Sequence, residues 1–92
     1  MISIWKQQLA LQSKQEIQVP AGSQIMTAQE QNGVPCLWFS VNTERPLEQR
    51  TIHIIETGHP IEDPKILDFI DTVQIGPHVW HIFEPIGEVM EL

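Results

Sequence analysis

The stretch Thr57-Gly58-His59-Pro60 holds the residue types best suited to holding a ligand. Thr57 supplies a hydroxyl, Gly58 permits close backbone approach, and His59 can donate to an anion. Arg50 opens the apolar run that leads into this turn, and Arg45 stands in the polar loop before it. Arginine presents a planar fork that matches phosphate. With Trp38 or Trp80 stacking on a base, Arg45, Arg50, Thr57, Gly58 and His59 would form a site for a small anion, for example a nucleotide. The plainer alternative is a strand-ending turn with a structural histidine. No G-x-G-x-x-G or P-loop accompanies the turn to favour the phosphate reading.

The remaining reactive residues suggest less. His78 and His81 stand three apart, and a regular strand puts them on opposite faces, so they cannot chelate one ion as a pair. His53 and His59 can approach only through the Gly58 turn. The histidines therefore read as turn and surface residues, with no metal site expected. Cys36 lies in the most apolar run of the chain, where burial makes a thiol inert and a packing role follows. Glu62, Asp63, Asp68 and Asp71 could supply an acid and a base, but nothing fixes their separation, and a solvated acidic face is the simpler reading. No nucleophile–base pair stands out, so an enzyme, such as a small hydrolase, is the third-ranked expectation.

These residues must be positioned by strands. Gln24 to Val41 reads as two strands joined at Asn32-Gly33, residues that tolerate the positive φ of a tight hairpin. Cys36-Leu37-Trp38-Phe39 is apolar on both alternating faces, which predicts a central strand covered on both sides, with Trp38 buried. Ile2 to Leu11 predicts a first strand, with Trp5, Gln7, Leu9 and Leu11 on one face and Ile2, Ile4 and Lys6 on the other. Gln15 to Val19 alternates as a half-exposed strand before the Pro20-Ala21-Gly22-Ser23 break. Asn42 to Gln49 is a polar loop, and Arg50 to Glu56 is a β-branched strand with Ile52 and Ile54 facing one way. Asp63 and Pro64 suit the N-cap and first position of a helical turn. Residues 66–73 fit either helical spacing or a turn followed by a strand, the second being favoured. Gly76-Pro77 is a turn, and His78 to Phe83 is the last strand. The result is an all-β chain, a small antiparallel sandwich or barrel of six or seven strands, with a single domain over 1–84 and a tail over 85–92.

The totals bound the function. Ninety-two residues make one domain with one modest core. A net charge of −7 argues against broad binding to nucleic acid or anionic membrane, while leaving room for one basic pocket. One Cys makes no internal disulfide. Neither a signal peptide nor a transmembrane run is visible, so the cytoplasm is the expected location. Three Trp and three Phe load a short chain with large side chains. Trp5, Trp38, Phe39, Trp80 and Phe83 are expected in the core, and what is not buried there, with apolar Val89, Met90 and Leu92, suggests a homo-oligomer.

The runs Gln31-Asn32-Gly33-Val34-Pro35-Cys36-Leu37-Trp38 and Thr57-Gly58-His59-Pro60-Ile61, with Ile4-Trp5-Lys6 before them and Val79-Trp80-His81-Ile82-Phe83-Glu84 after, resemble a family of small uncharacterised proteins encoded mainly by phages and prophages. The resemblance runs from about Ile4 to Glu84. That family usually has Gly where Glu56 and Asp71 stand, so loop geometry is not carried over at those two places. It brings no catalytic residues and no cofactor. It implies, by analogy with other small phage proteins, an antagonist of host defence acting in the host cytoplasm. Such a protein would sequester a nucleotide-derived immune signal without bond chemistry. The rival expectation is an interaction module that binds a host or virion protein through a sheet edge or aromatic patch.

Overall fold

The computed structural model describes residues 1–86. The apolar tail expected at Val89, Met90 and Leu92 lies outside them. The strands are β1 Ile2–Gln8, β2 Lys14–Pro20, β3 Gln24–Gln31, β4 Val34–Asn42, β5 Leu47–Glu56, β6 Leu67–Ile75 and β7 His78–Pro85. A 3-10 turn, Pro64–Ile66, precedes β6. All neighbours are antiparallel, in one sheet ordered β1-β4-β3 and another ordered β2-β5-β7-β6. The fold is a small all-β sandwich.

The β3–β4 hairpin turns at Asn32 and Gly33 with φ of 55° and 79°. Both residues enter the left-handed region, which suits the right-handed twist of the flanking strands. Residues 66–73 resolve as a turn and then a strand. The Ile66 N–H donates to the Asp63 carbonyl at 3.2 Å, and the Asp63 side chain makes no capping bond. A bulge between Phe69 and Asp71 then shifts the register of β6 against β7. It turns Phe69 outward, edge-on to Phe83 at 5.7 Å, and lets Ile70 pack on the core.

The core lies between the sheets. Ala28, Leu37, Phe39 and Val41 come from the smaller sheet, and Ile17, Val19, Ile52, Ile54, Val73 and Ile82 from the larger. The sheets also meet along one side, where β3 lies against β6. There the Asp71 carboxylate accepts from the Ala28 N–H at 3.1 Å and the Thr27 hydroxyl at 3.4 Å. Glu56 and Asp71, where the resemblance has glycines, thus stand in strands rather than loops. β5 starts at Leu47, so the expected loop shrinks to residues 43–46.

Two burial expectations are corrected. β4 is central in its sheet, but only its inner face is covered by the other sheet. Trp38 sits on the outer face, opposite Lys6 on β1 and Thr27 on β3, and is half-buried. Cys36, on the same face between Gln8 and Gln29, is fully buried. β1 pairs with β4 and packs substantially on nothing else, so its Trp5 stays 39% exposed although it shares the core side with Phe39.

Ile54→Ala should therefore cost about 2–5 kcal/mol, the usual penalty for truncating a large core side chain. Trp38→Ala should cost clearly less. Urea unfolding of both variants checks the contrast, and equal losses would contradict the assignment of Trp38 to an outer face.

Candidate functional site

The residues expected to form the anion site do not converge. Arg50 sits seven positions before Thr57 on β5, and at about 3.3 Å per residue this puts it roughly 23 Å from the turn. Its side chain is also taken. Nε and Nη2 donate to the two Glu84 carboxylate oxygens at 2.7 and 2.9 Å, and Nη1 donates to the Ser23 carbonyl. The guanidinium lies over the Phe39 ring, 5.6 Å from its centroid. Every guanidinium nitrogen has a partner, so Arg50 works as an internal tie between the sheets, and its fork is not offered to a phosphate. Arg45 is exposed in the 43–46 loop near Gly22, in a shallow depression shared with Ile2 and Ser40. Trp38 lies on the outer face of the smaller sheet, apart from both.

The turn itself is closed on its own strands. The His59 N–H donates to the Glu56 carbonyl at 3.0 Å, and Gly58 takes φ 94°, which only glycine adopts without strain. The Thr57 hydroxyl stands 2.7 Å from His81 Nε2 and 3.3 Å from the Val79 carbonyl. His81 Nδ1 meets the Thr72 hydroxyl at 3.0 Å, so the imidazole is held between two threonines. Glu56 faces His59 at 3.7 Å and is hydrogen-bonded to His78 Nδ1. The Glu56 carboxylate beside His59 opposes the binding of an anion there. Among the described residues, no three His, Cys, Asp or Glu side chains gather as a metal site.

Two of the expected residues do meet, in a different place. His59 and Trp80 line a cleft of about 630 Å³, within the roughly 300–1,000 Å³ of small-molecule sites. β5 forms one wall from His53 to Glu56, the β1–β2 connection and the first residue of β2 another through Leu11, Ser13 and Lys14, and the 57–66 loop folds back as the third through Ile66 and its neighbours. β2 ends beside His53, its Lys14 opposite that residue, so β5 runs on past the sheet edge and leaves the cleft beside it. Trp80, on β7, backs the cleft. Its ring packs on the core and tilts against His78 at 6.2 Å, and its buried indole Nε1 has no hydrogen-bond partner among the described residues.

The cleft's charges are Lys14 against Glu56, Glu62 and Asp63, with His53 and His59 beside them. The balance does not favour a polyanion. Sequence reasoning missed Leu11, Lys14, Ile66 and Leu67 as site residues. The available signal was the long connection between β5 and β6, stiffened by Pro60 and Pro64, since connections of that length are often binding loops.

The family described as Domain of unknown function (DUF7352) matches residues 1–91. The chain belongs to this family. Its length spans the sandwich, the cleft and the edge strand β1 together, so all three lie within one DUF7352 domain. No curated protein and no solved structure matches the chain. No helix among the described residues is long and apolar enough to cross a membrane.

If Arg50 is structural, Arg50→Ala should destabilise the fold by about 1.5–3 kcal/mol, because it strands the half-buried Glu84. Replacing Arg50 and Glu84 together by Met and Leu should recover most of that loss. A thermal or urea double-mutant cycle checks this. A neutral Arg50→Ala would contradict the structural role.

Proposed function

We propose that the chain is a non-enzymatic binding protein that holds a small planar heterocycle in the cleft against Trp80. The observation that carries this is Trp80, which lines the cleft and whose buried indole Nε1 has no hydrogen-bond partner among the described residues. A buried donor left unpaired costs about 1–3 kcal/mol, and a ligand acceptor that reaches Nε1 through a shift of the side chains around it would offset that cost. Leu11, Ile55, Pro60 and Ile66 supply apolar walls for a ring, while Lys14, His53, Glu62 and Asp63 supply polar groups at its rim.

Three carboxylates against one lysine, within a chain of net charge −7, favour an uncharged or cationic ligand over a polyphosphate. A nucleobase or nucleoside has the right ring, acceptors and charge. If the ligand is a nucleotide-derived host immune signal, as the resemblance to small phage proteins implies, its base takes the cleft and its phosphate is left to Lys14 and His53. Sequestration of this kind needs affinity and abundance but no bond chemistry. A second reading, an interaction module that binds another protein along a sheet edge, is supported by the exposure of β1.

Native mass spectrometry of freshly purified protein, followed by calorimetry with a panel of nucleosides and nucleotides, tests the proposal. A nucleoside should bind and return chemically unchanged, and Trp80→Phe should weaken it about 2- to 12-fold, the worth of one neutral hydrogen bond. Polyphosphates should bind more weakly than their nucleosides at low salt. No binding by any panel member and no co-purified small molecule would overturn the reading.

A further inference from the structure

We propose that β1 is the seam of a homodimer, in which two copies pair antiparallel along β1 and join their smaller sheets into one, ordered β3-β4-β1-β1-β4-β3. This stands independently of the cleft.

The backbone of β1 states which groups are open. At one end the Thr43 N–H donates to the Met1 carbonyl at 2.9 Å, and at the other the Leu9 N–H donates to the Pro35 carbonyl at 2.8 Å. The register between these ends is unbroken. In an antiparallel ladder a residue's N–H and C=O point to the same side, and the side alternates along the strand. Ser3, Trp5 and Gln7 therefore turn toward β4. Ile2, Ile4, Lys6 and Gln8 turn both groups to the open edge. The Gln7 side-chain amide covers the Gln8 carbonyl at 2.8 Å, and the others stay available.

The side chains agree with the backbone. Ile2 and Ile4 are 68% and 59% exposed on one face, and Trp5 is 39% exposed on the other. Exposed edges are usually blunted by charge, proline or a cover. The other sheet follows that rule, since its open edge strand β2 carries Lys14 and Glu16 and ends in Pro20. The far edge of the smaller sheet, β3, is covered by β6 and Asp71. β1 carries a single charge, Lys6, and no proline.

Charge selects a second copy as the occupant. β1, β3 and β4 together hold one lysine, Lys6, and one carboxylate, Glu30, whereas the chain as a whole carries −7. β2, β5, β6 and β7 hold Glu16, Glu48, Glu56, Asp68, Asp71 and Glu84 against Lys14 and Arg50, and so are acidic on balance. Pairing along β1 joins the two neutral sheets and keeps the acidic ones at the outside. An antiparallel pair is two-fold symmetric, so one strand can serve as its own partner.

Sedimentation equilibrium combined with amide exchange tests the seam. Wild-type protein should be dimeric at high micromolar concentration, with the Ile4 and Lys6 amides protected. Ile4→Pro removes an N–H that the β4 ladder does not use, so it should yield a folded monomer. Ile4→Lys, which keeps the backbone unchanged, should do the same, with fast exchange at Lys6 and continued protection at Ser3, Trp5 and Gln7. Trp80→Phe should leave the dimer intact, which separates this test from that of the cleft. A wild-type monomer with unprotected Ile4 and Lys6 amides would overturn the proposal. So would a dimer that persists in both Ile4 variants, or a different protein found paired along β1.

Discussion

One guanidinium sits where the two sheets of this protein must be held together. Arg50 is on the core side of β5, opposite Ile17 of β2. A charge there is expensive unless it is paired and hydrogen-bonded. Glu84 on β7 supplies the pair, the Ser23 carbonyl in the β2–β3 crossover supplies the third bond, and Phe39 on β4 supplies a ring to lie on. The one side chain therefore touches both sheets and the segment that passes between them. The pair lies near the β5–β7 end of the core away from the Thr57–His59 turn, and it uses up the arginine best placed to hold a phosphate. The chemistry left to the molecule is thereby moved to the other end of β5.

At that end the polar groups are largely tied up. Thr57 and Thr72 bracket His81, and Glu56 serves His78 and His59. These contacts fasten the end of β5, from which the 57–66 loop leaves, to β6 and β7. Among the described residues, what remains unengaged is the indole Nε1 of Trp80, the Lys14 ammonium and the His53 ring, set beside apolar walls. A rigid floor with one unmatched buried donor is suited to holding a flat, polar-edged ligand. None of the three strands of the neutral smaller sheet lines this cleft, so pairing along the β1 edge engages other residues.

Local chemistry made much of the fold legible. Asn32-Gly33 demanded a hairpin, alternation put Ile52 and Ile54 on one face, which is the core face, and the Asp63-Pro64 pair marked the turn before β6. The failures share a cause. Alternation says that a strand has two faces, but not how far the opposing sheet extends over each. Trp38 and Trp5 were therefore placed too deep. Likewise, nothing local told Arg50 that its partner was Glu84, 34 positions away. The cleft was legible only in part, through His59 and Trp80, because its other walls come from segments that meet only when the 57–66 loop folds back on β5.

The central claim is that the Trp80 cleft, not Arg50, receives the ligand. Side-chain ¹⁵N–¹H spectra of the indole and arginine Nε groups during titration with a nucleoside read both places at once. The account predicts that the Trp80 indole resonance moves to a hydrogen-bonded position as the nucleoside is added, while the Arg50 Nε resonance stays where it was. A shift at Arg50 with Trp80 unmoved would contradict it.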